Sequence, residues 1–427
     1  MSTVKQGRKK IRACFSERLS KIKVSFFFEI QYEFFMENLK EVLGACYKAH
    51  AKEIEDLVLH IHDNPELSEK EELAARVQAD FLENRGFDVK RNYKGLKTAF
   101  SATAGEDGSH ICFMSEYDAL PGMGHGCGHN LIAGVALGAG VLLKQLISDQ
   151  GLKGRVTVMG TPAEEKRGCK IDLIAAGALE DVDIVLMAHP SQRPTSQSVE
   201  ESGIMQFVIR FSGKSAHAAA APEQGLNALD AVRLLFCGVD AWRQQLPETC
   251  RVHGVITDGG VAPNIIPDSA AADFYLRAFD MDFLLSMKNR FENIAKGAAL
   301  MTDTKVLVET VKHTYKPGKP NAELNQVFME LAQEYGMAPE WLERSRASSD
   351  FGDVTYEVPA IHGFFNITGQ AGDITIHSKE FADCAATPFA LGQMEKTAKI
   401  LSEIGYRYLT REDFRKKVAE AFPFGSI

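Results

Sequence analysis

Residues 116 to 130 read EYDALPGMGHGCGHN, which sets a thiol, Cys127, between the imidazoles of His125 and His129, just after an acidic pair, Glu116 and Asp118. Cys127 and His129 alternate across Gly128, so both side chains can reach one centre, and a thiolate with a neutral imidazole suits Zn2+. Alone, this C-x-H pair is a weak signal, since a lone Cys or His is more often packed or solvated than metal-bound and no closed four-ligand spacing accompanies it. A second signal is TPAEEKRG, where Glu164 and Glu165 adjoin. Neighbouring carboxylates repel unless a positive charge stabilises them, and a solvated loop is the alternative. If the loop does chemistry, one carboxylate can bind metal while the other serves as general base. His189 in MAHP and His377 in ITIHSKEF are each unremarkable in isolation. Together Cys127, His129, Glu165, His189 and His377 are sufficient for two metal ions if one ligand bridges.

These residues need elements that bring them together. Apolar positions recur at helical spacing from Met36 to about Gly86, broken at DNPELS. After that, HICFMS (110–115), GRVTVMGT (154–161) and DIVLMAHP (183–190) read as strands, and they alternate with helices through 131–147 and IDLIAAGAL. This rhythm predicts an α/β domain, a mainly parallel sheet covered by helices, whose ligands gather beyond the strands' carboxyl ends. Glu116 and Asp118 follow the first strand, Glu164 and Glu165 the second, and His189 closes the third, so three strand ends point to one rim. From 203 to 313 the order becomes β-α-β-β-α-β, that of a ferredoxin-like α+β sandwich. The domain expectation is therefore an extension over 1–35, a first catalytic segment over 36–202, an inserted domain over 203–313, and a second catalytic segment over 314–427.

The chain has 427 residues, 45% apolar and 25% charged, with net charge −9, which is globular and carries no basic footprint for nucleic acid. Eight scattered cysteines do not form a small disulfide framework, which favours a reducing compartment, cytoplasmic or nuclear. The apolar run LIAGVALGAGVLL reads as a buried helix rather than a membrane span. Residues 1–35 stand apart, with eight Lys or Arg against three Glu, as a dispensable extension, a surface-lying segment or a targeting sequence.

The motifs resemble those of the two-domain, co-catalytic metallopeptidase and amidohydrolase family that includes carboxypeptidase G, aminoacylase, carnosinase and the auxin-conjugate hydrolases. EYDALPGMGHGCGHNLIAG is most similar to the branch holding β-alanyl-lysine (Xaa-Arg) dipeptidases and p-aminobenzoyl-glutamate hydrolases. The likeness runs from IHDNPELSEKEELAA through GKSAHAAAAPEQGLNAL and GGVAPNIIPDSAAADFYLR to LGQMEKTA. It implies that Cys127 bridges two divalent ions, Zn2+ before Mn2+ or Co2+, that His129 and His189 complete one ion, and that Glu165 and His377 complete the other. It also implies Glu164 as general base and Asp118 as the group that orients a ligand. Other thiol-bearing branches read CGHD where Asn130 stands here, a difference that selects the branch.

The same resemblance makes the inserted domain the contact of a homodimer, lending His217 of KSAHAA to the neighbouring site as an oxyanion donor. Asn264 and Arg277 would hold the substrate's carboxylate, a contact for which a guanidinium is well suited. The Gly-rich NITGQAGD could bring backbone N–H groups to substrate or be a plain turn. The expected activity is metal-dependent hydrolysis of a small dipeptide with a basic C-terminal residue. The alternatives are an N-acyl or p-aminobenzoyl amino-acid amidohydrolase with the same site, and a non-catalytic scaffold, which loss of Glu164 or of several ligands would have favoured.

Overall fold

The computed structural model describes residues 38–311, 313–369 and 374–422. The extension expected over 1–35 and the Gln370–Asp373 part of the Gly-rich segment lie outside them. The chain divides into two units, Met1–Lys52 and Glu53–Ile427. In the first, residues 38–48 are helical; the elements that build the two sheets belong to the second.

A six-stranded sheet carries the larger domain. Its strands are β1 (Asp88–Arg91), β2 (Phe100–Gly105), β3 (His110–Ser115), β4 (Arg155–Gly160), β5 (Ile184–Ser191) and, after an excursion, β12 (Ala360–Asn366). The order is β1-β2-β4-β3-β5-β12. The β3–β4, β3–β5 and β5–β12 pairs are parallel, whereas β1–β2 and β2–β4 are antiparallel. β3, β4 and β5 are buried along nearly their whole length, as strands covered on both faces must be. The helix His129–Gln150 connects β3 to β4 and packs between the sheet and the helix Pro388–Thr410. It is apolar and long enough to cross a membrane, and burial on every side from His129 to Leu143 accounts for that composition.

The excursion between β5 and β12 holds a separate four-stranded antiparallel sheet of β7 (Gly203–Ser212), β8 (Arg251–Asp258), β9 (Ser269–Ala278) and β10 (Lys305–Thr310), in the order β10-β7-β9-β8. Helices Ala228–Arg243 and Met281–Met301 cover it, and Phe207, Phe211, Phe274 and Phe291 fill the space between. Each helix starts on a side-chain cap: Asn227 accepts from the backbone N–H groups of Leu229 and Asp230, and Asp280 from that of Phe283. A short parallel pair, β6 (Glu200–Glu201) with β11 (Arg344–Ser345), lies where the chain leaves and re-enters the larger domain.

Candidate active site

The side chains singled out in sequence converge at the carboxyl ends of β3, β4 and β5. Cys127 Sγ lies 3.5 Å from His189 Nε2 and 3.5 Å from His377 Nε2. His377 Nε2 is 3.5 Å from Glu165 Oε1, and that oxygen is 4.0 Å from His129 Nε2. Potential ligand atoms fall into three overlapping groups, each within 4.8 Å: Cys127, His129 and His189; Cys127, Glu165 and His377; and His129, Glu164 and Glu165. His189 is inside β5 rather than just beyond it, because pairing with β12 extends that strand to Ser191.

Local backbone geometry aims these groups. Gly128 precedes the helix His129–Gln150 at φ 76°, and a Cβ there would come within 2.8 Å of Pro190 Cγ, so only glycine lets Cys127 and His129 turn inward together. Ala163, just before the glutamate pair, and His377 itself are left-handed at φ 58° and 64°, conformations that non-glycine residues hold only when their surroundings impose them.

Asp118 is fully buried. It accepts from His129 Nδ1 at 2.9 Å, from Ser68 Oγ at 2.6 Å and from the Glu165 backbone N–H at 3.0 Å. Burial would raise its carboxyl, but His129 and those donors outweigh it and hold it at about 2. With Nδ1 committed to this carboxylate, His129 presents Nε2 to the cluster. His189 Nδ1 donates to Pro190 O, 2.7 Å away, and burial beside His129 and His362 lowers the ring to about 3, leaving a neutral imidazole. Burial and the neighbouring Glu165 push Glu164 well above the usual carboxylate range, and burial likewise pushes the Cys127 thiol up.

The donor set fits a pair of divalent ions. His129 Nε2, Glu165 Oε1 and Glu116 Oε2 are buried without any hydrogen-bond partner, yet all face one space, which cations would satisfy. His125, from the same motif, is not one of the converging groups: its Nε2 lies 3.2 Å from Ile61 O, and burial lowers it to about 3.

Sequence reasoning missed what lies beneath. Lys170 is wholly buried, and its ammonium donates to Glu116 Oε1 at 2.5 Å and Asp350 Oδ1 at 2.6 Å, while its backbone N–H donates to Asp350 Oδ2 at 3.0 Å. Burial would raise Glu116, but Lys170 and the nearby histidines hold it below its ordinary value. A lysine in GCKIDLI carries no signal of this; the acidic residue two before Asp118 was the available hint.

A cavity of ≈ 580 Å³ opens from the cluster. Cys127, Glu164, Glu165, His189 and His377 line it, as does Arg277, which donates to Ser348 Oγ at 2.9 Å. His217 and Asn264 do not line it. They lie side by side on the inserted domain, where the Ala218 backbone N–H donates to Asn264 O, and both are exposed.

A mixed α/β sheet with imidazole, thiol and carboxylate groups gathered at its carboxyl rim is an arrangement suited to a metallohydrolase. The chain belongs to the family described as peptidase family M20/M25/M40, whose model matches residues 112–405. It is 35% identical to human Xaa-Arg dipeptidase over 416 residues, covering 90% of this chain and 94% of that protein. It is also 32% identical to one of the subunits of Escherichia coli p-aminobenzoyl-glutamate hydrolase over 324 residues, 72% of this chain and 67% of that one. Among solved structures, a putative aminohydrolase of methicillin-resistant Staphylococcus aureus shares the fold with TM-score 0.73 at 19% identity, covering 87% of this chain and all (100%) of that one. A dinuclear metal-binding peptidase of the same family from Bacillus subtilis matches with TM-score 0.61 at 19% identity, over 84% and 99% of the two chains. The protein is thus an enzyme of the metallodipeptidase and amidohydrolase class.

Proposed function

We propose that the protein cleaves dipeptides whose C-terminal residue is basic, and that Cys127, His129, His189, Glu165 and His377 would hold a pair of divalent ions, zinc before manganese or cobalt. The observation that carries this reading is the convergence of those five side chains beside Glu164 at the mouth of one cavity. The thiolate favours zinc over manganese or cobalt. Bound there, the ions would supply Lewis-acid polarisation of the scissile carbonyl and a lowered pKa for water.

The chain's own residues do the rest. The Glu164 carboxylate takes a proton from the attacking water and returns it to the leaving amine. Asp118 fixes the tautomer of His129 and, through the Glu165 backbone N–H, the start of the ligand loop. Arg277 offers its guanidinium to the substrate's carboxylate. The basic preference follows the name of the human relative. A second reading, hydrolysis of an acyl group from an acidic amino acid, is favoured by Arg193, Arg277 and Arg346 in the same cavity wall.

His217 and Asn264, exposed and outside their own cavity, fit a homodimer in which each inserted domain completes the other site. β8 is the free edge of its sheet, and Val255, Ile256, Val261 and Ile265 are exposed along and beside it, an apolar surface of the kind an interface covers. A cytoplasmic site of action is in keeping with seven described cysteines that are all free thiols.

The test is a substrate panel on metal-loaded protein: β-alanyl-lysine and Xaa-Arg dipeptides against p-aminobenzoyl-glutamate, with Glu164→Gln as control. The basic dipeptides should be turned over fastest, and Glu164→Gln should keep its metal while losing about 100- to 10,000-fold in kcat. Absence of turnover on every dipeptide would end this reading.

A further inference from the structure

We propose that Glu201 is the group that reads the cationic side chain of the substrate's C-terminal residue. The inference rests on the dipeptidase reading above and assigns to it a residue.

The carboxylates lining the cavity are Glu164, Glu165 and Glu201. The first two belong to the ligand cluster and the proton-transfer group, which leaves Glu201 as the negative charge available to substrate. Its placement comes from strand alternation in β6. Glu200 points outward and pairs with Arg344 at 2.8 Å and Lys319 at 3.5 Å, so the next residue turns inward, where Glu201 is only 6% exposed.

A carboxylate so buried needs a strong partner, and Glu201 lacks one. Its ion-pair contact is His362 Nδ1 at 3.5 Å, longer than a hydrogen bond, and both ring nitrogens of His362 are buried without a hydrogen-bond partner. No lysine or arginine pairs with Glu201 among the described residues. Arg277, in the same cavity, has no carboxylate partner among them; it is held by Ser348 Oγ and Arg346 O. A C-terminal lysine or arginine brings one carboxylate and one cation, the complement of that pair of charges.

Position agrees with this role. The rings of His129 and His189 are 5.6 Å apart, and those of His189 and His362 are 5.7 Å apart. Imidazoles therefore lead from the cluster, where the scissile bond would lie, towards Glu201. Val199, Ile204, Tyr275 and Phe364 also line the cavity and give an apolar course for the methylenes of lysine or arginine, with the charged head left for the carboxylate.

The experiment compares each basic substrate with a neutral analogue, arginine with its isostere citrulline and lysine with norleucine, which lacks the ammonium, as the C-terminal residue of a β-alanyl dipeptide. In the wild-type enzyme the arginine to citrulline ratio of kcat/KM should be about 100, as expected of a desolvated charge pair. In Glu201→Gln it should fall to within a few-fold of unity. Glu201→Asp covers the case in which the amide variant does not fold. Drawing the carboxylate back by one methylene should lower both ratios and favour the longer arginine over lysine. If wild type shows the preference and the folded variants keep it undiminished, Glu201 is only a partner of His362 and the inference is overturned. If wild type shows no basic preference at all, the dipeptidase reading itself has failed, whatever the variants do.

Discussion

Replacing Lys170 by methionine probes the ion cluster beneath the ligands. The two side chains are similar in length and unbranched, so Lys170→Met removes a charge with little change in volume. In the wild-type protein this ammonium is wholly inaccessible and donates short bonds to two carboxylates that are themselves buried, Glu116 and Asp350. Burial pushes Asp350 up, with Lys170 the largest influence opposing it, and Lys170 is likewise the largest influence holding Glu116 down. Removing one member of such a buried set strands the others, which typically costs about 3–5 kcal/mol. The loss should be largest in protein stripped by a chelator, because cations held as proposed by Cys127, His129 and Glu165 would supply positive charge close to Glu116. The assay is urea unfolding followed by fluorescence, with chelator and with excess zinc. A loss below about 1 kcal/mol in the stripped protein would refute the argument, since solvated carboxylates of that kind interact only weakly with a lysine.

Stability should also respond to pH through Glu71, whose carboxyl is fully inaccessible and is raised from 4.5 to about 7 chiefly by burial, then by the charge of Asp118. A raised carboxyl means the folded state holds the proton more tightly than the unfolded one. Stability is therefore lost as pH climbs from about 4.5 to about 7, by about 3 kcal/mol in all, and Glu71→Gln should flatten that slope in unfolding curves collected across the window. For the proposed dimer, a mixture of inactive His217→Ala and inactive Glu164→Gln proteins should regain activity, because one site of each mixed pair would hold both native residues. No regain in subunits shown to exchange would exclude a shared site.

The candidate ligands are legible as a set rather than singly, because short motifs carry each of them and only their joint occurrence points to one centre. Cys127, His129, Glu165, His189 and His377 stand out from such motifs, and the described side chains meet. Contacts made across more than a hundred residues by unexceptional types leave no such trace. Lys170 reaches Asp350, and Glu201 reaches His362, without any periodicity to mark them. β1 escapes for a different reason: Asp88–Arg91 is an exposed polar edge with no apolar alternation to read. The inserted sheet is easier, since β7 and β9 alternate cleanly over a buried phenylalanine core. His217 and Asn264 are singled out by motif alone, and both are exposed and outside the cavity.

The contact between Cys127 and His377 spans 250 positions, and between them the chain makes the whole four-stranded domain before β12 returns to pair with β5. During synthesis the amino-terminal part can build β1 to β5, but it cannot bring His377 to Cys127 until β12 has been made, with three helices still to follow. Capture of the proposed metal pair would consequently be a late event in the maturation of this molecule, and nascent or truncated chains would pass through a stage with the thiol uncovered and uncommitted.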